Sequence, residues 1–150
     1  MAITVSGLYF ISFEKMMIDT LGETLEAEDN VVVLVTDTHT PAFDTDDFHA
    51  DLTNEISGTN YSSEPLDTTE LTVSTGTMKM DASDSLFDNG GSNDVTVTNA
   101  MAAVWHTTVS GTATDQLIGL WDFVTAASST SSTFTVQWNS NGMFTLDLTP

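Results

Sequence analysis

The chain has 150 residues, 22 acidic against two basic side chains, and a formal net charge of -20 at pH 7. With Lys15 and Lys79 as its permanent cations and no arginine, it cannot build a basic stripe for phosphates, which excludes nucleic acid as a direct partner. The absence of cysteine removes disulfides, thiolate metal sites and cysteine nucleophiles together.

A composition that is 40% hydrophobic supports a core, yet such a charge repels itself at ordinary ionic strength. High salt reconciles the two, because the screening length falls from about 10 Å at 0.1 M to about 3 Å at 1 M. The expectation is a protein of a halophile or of a virus that infects one; neutralisation by calcium or a basic partner is the competing account. No apolar run approaches a membrane span, and Met1-Ala2-Ile3-Thr4 lacks the charged opening of a signal peptide, so a soluble, unprocessed chain is expected. The length suits one domain, residues 1–150, with a modest core.

In chain order, the first element is a helix over about 8–21, ending near Gly22. Phe10, Phe13, Met17 and Leu21 share one stripe, widened by Ile11 and Ile18, with Ser12, Lys15 and Asp19 opposite. The apolar arc is expected to lie on the domain's own sheet, with a neighbouring subunit as the other cover, and Glu14 inside it needs a partner. After an acidic link at 23–29, Val31-Val32-Val33-Leu34-Val35 is apolar on both faces and reads as a central strand. Residues 36–63 form a long acidic loop with Pro41 and Gly58 as punctuation; only 52–56 looks strand-like or briefly helical, and a connection of this length suits a functional segment or an assembly arm.

Strand candidates then recur at 70–74, 77–81, 94–98, 102–108, 116–124, 133–138 and 143–148. Phe134, Val136 and Trp138 alternate with Thr133, Thr135 and Gln137, the period of a half-buried strand. Asn141-Gly142 predicts a hairpin turn, Asp88-Asn89-Gly90-Gly91 another turn, and 126–132 a Ser/Thr-rich tip. The fold class expected is mainly β, an antiparallel β-sandwich with one N-terminal α-helix and the question of a jelly roll left open.

Candidate chemistry is sparse. Asp37, Asp44, Asp46, Asp47, His49 and Asp51 crowd one loop, and hard oxygen ligands of this kind, chiefly Asp44, Asp46, Asp47 and Asp51, could hold calcium or magnesium. The spacing lacks the central Gly and terminal Glu of an EF-hand, and on so acidic a chain a solvated acidic face is the preferred reading. Asp81, Asp84, Asp88 and Asp94 resemble calcium loops in composition alone. His39, His49 and His106 read as surface or strand-end residues, no nucleophile motif is present, and no enzymatic activity is expected. Trp105, Trp121 and Trp138 could line a sugar-binding face, but their apolar flanks favour core or interface packing.

Several phrases together resemble a known family. They are Phe13-Glu14-Lys15 in the opening helix, residues 31–36 followed by Thr40-Pro41, Leu52-Thr53-Asn54-Glu55-Ile56-Ser57-Gly58-Thr59-Asn60-Tyr61, Leu117-Ile118-Gly119-Leu120-Trp121-Asp122-Phe123, and the ending 134–146. The chain resembles small virion structural proteins, of capsid decoration or minor capsid type, of tailed phages and related haloarchaeal viruses. It departs from their pattern in having almost no basic residues. The resemblance implies a structural place in the virion, with the major capsid protein and other virion proteins as partners; a compact β scaffold with projecting arms suits symmetric self-assembly into a homo-oligomer, and no cofactor is expected beyond the calcium or magnesium the acidic loop could hold. Phe10, Phe13, Met17, Phe43 and Phe48 are the candidate interface residues, because exposed apolar groups mark association surfaces. A tail or neck component, or a host-glycan-binding sandwich, would use the same architecture.

Overall fold

The computed structural model describes residues 3–18, 25–26, 30–108, 115–147 and 149. It is mainly β, with antiparallel sheets and one helix near the N-terminus in a sandwich-like arrangement. The order is β1 (Gly7–Leu8), α1 (Phe10–Met17), β2 (Asn30–Thr36), a 3-10 turn (His49–Asp51), β3 (Glu64–Pro65), β4 (Glu70–Ser74), β5 (Thr77–Asp81), β6 (Ser85–Phe87), β7 (Val95–Thr107), β8 (Leu117–Ser132), β9 (Phe134–Val136) and β10 (Phe144–Asp147). A five-stranded sheet runs β1-β8-β7-β2-β3, a three-stranded sheet β10-β5-β4, and β6 pairs with β9.

The large sheet is buried on both faces, which is why β2 is apolar at every position from Val32 to Val35. One face, carrying Val32, Leu34, Ala103, Trp105 and Ile118, packs with Met80, Phe87, Phe134, Val136 and Met143 from the small sheets and the turn before β10. The other, carrying Val33, Val35, Ala102, Val104, Leu117 and Leu120, is covered by Ile3, Tyr9, Phe43 and Leu52. Opposite faces follow from the register, in which Val32 pairs with Trp105 and Val33 with Val104.

The three tryptophans are structural. Trp105 and Trp121 stack with centroids 6.3 Å apart, and Trp121 meets Trp138 edge-on at 5.4 Å. Their indole N–H groups donate to Asn30 Oδ1, the Met143 carbonyl and Ser85 Oγ, so burial leaves no indole donor unpaired. Gly119 makes room for this stack, since a Cβ there would lie 2.6 Å from the Trp121 ring.

Several boundaries differ from the sequence expectation. Residues 94–98 and 102–108 join in one long β7, bent at register shifts between Val95 and Ala102. The 126–132 tip belongs to β8, which bulges where Ala102 pairs with Asp122 but Ala100 with Ala127. Val124, at φ 66 and exposed, sits in that bulge with its N–H on Asp122 Oδ1, a strained position for a β-branched residue. Asn141-Gly142 does make a turn, with Gly142 at φ 99, but its flanking strands do not pair as a hairpin. β9 pairs with β6 and β10 with β5 instead. The helix begins at Phe10 and is capped at Ile18; its expected continuation to Leu21, the link at 23–29 apart from Leu25 and Glu26, and the strand end at Leu148 lie outside the described residues.

Candidate functional site

The helix is turned the other way from its apolar stripe. Phe10, Met17 and Ile18 are 61%, 73% and 61% exposed, whereas Ser12 is fully buried. Glu14, expected to need a partner inside the arc, is exposed, and Phe13 is half-buried. The polar side faces inward because it finds specific partners. Ser12 Oγ donates to the Leu117 carbonyl, and Lys15 Nζ reaches Asp47 at 2.8 and 2.9 Å and Gln116 Oε1 at 2.6 Å. Lys15 also lies 4.9 Å from the Phe48 ring centre, a cation–π contact. Three fixed polar contacts hold this side down, and the expectation that the sheet covers the apolar arc is overturned at Phe10, Met17 and Ile18, while Ile11 and Phe13 are half-buried and Leu21 lies outside the described residues.

The candidate interface residues therefore separate. Phe10 and Met17 project outward, but Phe43 and Phe48 are half-buried and occupied within the chain. Phe43 packs on Tyr9 at 5.1 Å and against the backbone of Gly7. Phe48 bridges to Gln116 and lies under Lys15. These two rings hold the long loop to the sheet and correct the expectation that both face a partner.

The acidic loop spends two of its carboxylates on its own backbone. Asp46 Oδ2 accepts the Ala42 N–H at 2.8 Å, and Asp51 Oδ2 accepts those of Asp47 and Phe48 at 3.0 and 2.9 Å. The two backbone donors hold the Asp51 carboxyl below its ordinary range. Asp47 is committed to Lys15, and Asp44 is exposed. Among the described residues no three His, Cys, Asp or Glu side chains stand where they could hold a metal ion. The second acidic run serves turns: Asp81 pairs with Lys79, Asp84 accepts the Trp138 N–H, Asp88 that of Gly91, and Asp94 the Asn89 amide.

Two of the three histidines are buried, His106 at the end of β7 as a strand-end residue and His39 in the loop, while His49 is one third exposed. His39 and His106 are 1% and 5% exposed, and His49 stacks on His106 with ring centres 4.5 Å apart. The His106 Nδ1–H donates to the Thr107 carbonyl at 2.7 Å, which leaves its Nε2 as a buried lone pair without a partner. Burial, with His49 nearby, pushes His106 down to about 4. His39 accepts the Thr53 N–H at Nδ1, and its Nε2 is also buried and unpaired; burial lowers it as well. His49 Nε2 meets Glu55 Oε2 at 2.8 Å.

Around this pair, along the edge of β2, opens a cavity of about 520 Å³. β3 covers β2 only at Val31 and Val32. Farther along, the Leu34 N–H donates to Tyr61 Oη at 2.7 Å, the Ile56 N–H to the Leu34 carbonyl, and Glu55 bridges to Val35. Tyr61 is pushed up by burial, with Glu55 and Glu64 adding to it. Gly58 permits the segment to close, because a Cβ there would overlap the Thr96 carbonyl oxygen at 1.7 Å. The cavity escaped the sequence reading: His49 and His106 lie far apart in the chain, and they meet because the segment 47–49 docks on residues 115–117 at the start of β8, which pairs with the end of β7 at His106.

No protein-family model, curated protein or solved structure matches the chain.

Proposed function

We propose that the protein is a non-catalytic virion structural component, a capsid decoration or minor capsid protein of a tailed virus living in high salt. The observation that carries this reading is the outward apolar stripe Phe10, Met17 and Ile18 on a strongly acidic β scaffold. A helix that holds its polar side inward by three specific contacts keeps its apolar side for another surface. The carboxylates make that surface soluble where salt screens them. The partners on this reading are the major capsid protein and other copies of the chain, and its place is the assembled particle.

The test is association. Sedimentation and circular dichroism across about 0.1 to 3 M KCl are expected to show a chain that folds and self-associates, or binds capsid particles, as salt rises. Replacing Phe10 and Met17 with serine is expected to abolish association and leave the spectrum unchanged. Unaltered binding of that double variant to particles would overturn the reading.

A further inference from the structure

We propose that the cavity beside β2 is a binding site for an alkylammonium or guanidinium group. The inference stands independently of the virion reading, since it rests on the cavity's own chemistry.

Acceptors dominate this site. Glu55 spends Oε2 on His49, and its Oε1 makes no hydrogen bond among the described residues. His106 contributes to the wall and carries the unpartnered Nε2 lone pair in a side chain that is 5% exposed. Its other nitrogen is fixed as a donor by the Thr107 carbonyl, so at neutral pH Nε2 can only accept. An orphaned buried acceptor costs free energy until a donor reaches it, and the His49 ring stacked on it is one third exposed.

Carboxylates outnumber cationic groups here, His49 being the one imidazole that acts on His106 with the opposite sign. Glu55 and Glu64 both act on Tyr61 at the cavity wall, Asp115 acts on His106, and both lysines are engaged elsewhere, Lys15 with Asp47 and Lys79 with Asp81. With no arginine in the chain, an anion would find no permanent cation here, and His49 is already committed to Glu55. Val33 and Ile56 add apolar wall, which suits the methylene stem of a long cationic group. The volume fits such a group comfortably. A divalent metal ion is the poorer match, because the described side chains offer no ligating set of three.

The ring Cε1–H signals of His49 and His106 report the site directly by NMR. They would be followed in the full chain in about 2 M KCl, where the diffuse counterion atmosphere is screened, with n-butylammonium and ethylguanidinium as probes. Saturable shifts of both rings are expected, weakened about tenfold in Glu55→Gln, the scale of one charge-assisted hydrogen bond, and unaltered in Glu14→Gln on the exposed helix face. Butan-1-ol and tetramethylammonium, the first uncharged and the second lacking N–H donors, control for shape and for charge without needing any variant. Absence of saturation, or equal binding of either control, would overturn the proposal. A blocked lysine peptide that binds more tightly than n-butylammonium would assign the site to a partner's side chain; the opposite order would assign it to a free amine.

Discussion

The two faces of the five-stranded sheet are buried by different chemistry. Against the small sheets the contacts are large and apolar, with Trp105, Phe87 and Met80 fully buried and every tryptophan N–H paired. Against the helix and the long loop the cover is held by polar staples, Ser12 on Leu117 and Lys15 on Asp47, and it seals in imidazole and phenol atoms without partners. The first face is built for stability. The second face contributes the unpaired His106 to the cavity at the β2 edge and sends the helix's apolar side outward, so both proposed binding surfaces draw on it.

The comparison can be broken hardest from the first face. Trp105→Ala empties the centre of the indole stack and removes the donor to Asn30 Oδ1, and is expected to cost about 3–5 kcal/mol in denaturant unfolding. A loss below about 1 kcal/mol would mean that this face is not the principal core.

Next in size is a pH effect confined to the second face. His106 has a folded pKa of about 4, below its ordinary 6.5, and that of His39 is also lowered. Between those values the unfolded chain binds more protons than the folded one, so stability is fully present above about pH 6.5 and is lost as pH falls toward 4. His106 alone contributes on the order of 3 kcal/mol over that window. Protonation of carboxylates relieves self-repulsion at the acidic end and acts in the opposite direction. His106→Gln separates the two, because it is expected to flatten the slope between pH 6.5 and 4 while leaving the carboxylate contribution intact. An unchanged slope in that variant would show that His106 is not the buried base described.

Gly119→Ala probes where the two faces meet, because Gly119 lies beside both Trp121 and Leu8. The added methyl must displace the Trp121 ring, and overpacking of this kind costs about 1–3 kcal/mol. The near-ultraviolet tryptophan spectrum should change along with the unfolding midpoint.

These sites also show what the sequence could disclose. β2, β4 and β5 were legible to within a residue, β2 from its β-branched run and β4 and β5 from the alternation of Leu71 and Val73 and of Met78 and Met80 with polar residues. The alternation of Phe134 and Val136 likewise appears as inward burial. The helix was legible as a helix but not in its orientation. An apolar stripe predicts an inward face only when nothing more specific competes, and here Asp47, Gln116 and the Leu117 carbonyl, all remote in sequence, capture the polar side. The acidic loop was visible as composition, while its use of carboxylates to cap its own backbone depends on turn geometry that spacing does not reveal.

The smallest expected effect sharpens the comparison most. Phe10→Ser and Met17→Ser alter side chains that are 61% and 73% exposed, so each should leave the unfolding free energy within about 0.5 kcal/mol of the parent. A helix whose apolar side supported the fold would lose several times that amount. If stability is unchanged while association in molar salt disappears, the stripe belongs to another surface and the polar staples alone position the helix. If instead the variants unfold early and association persists, the outward orientation of α1 is wrong, and the apolar arc packs on the sheet as periodicity alone would have it.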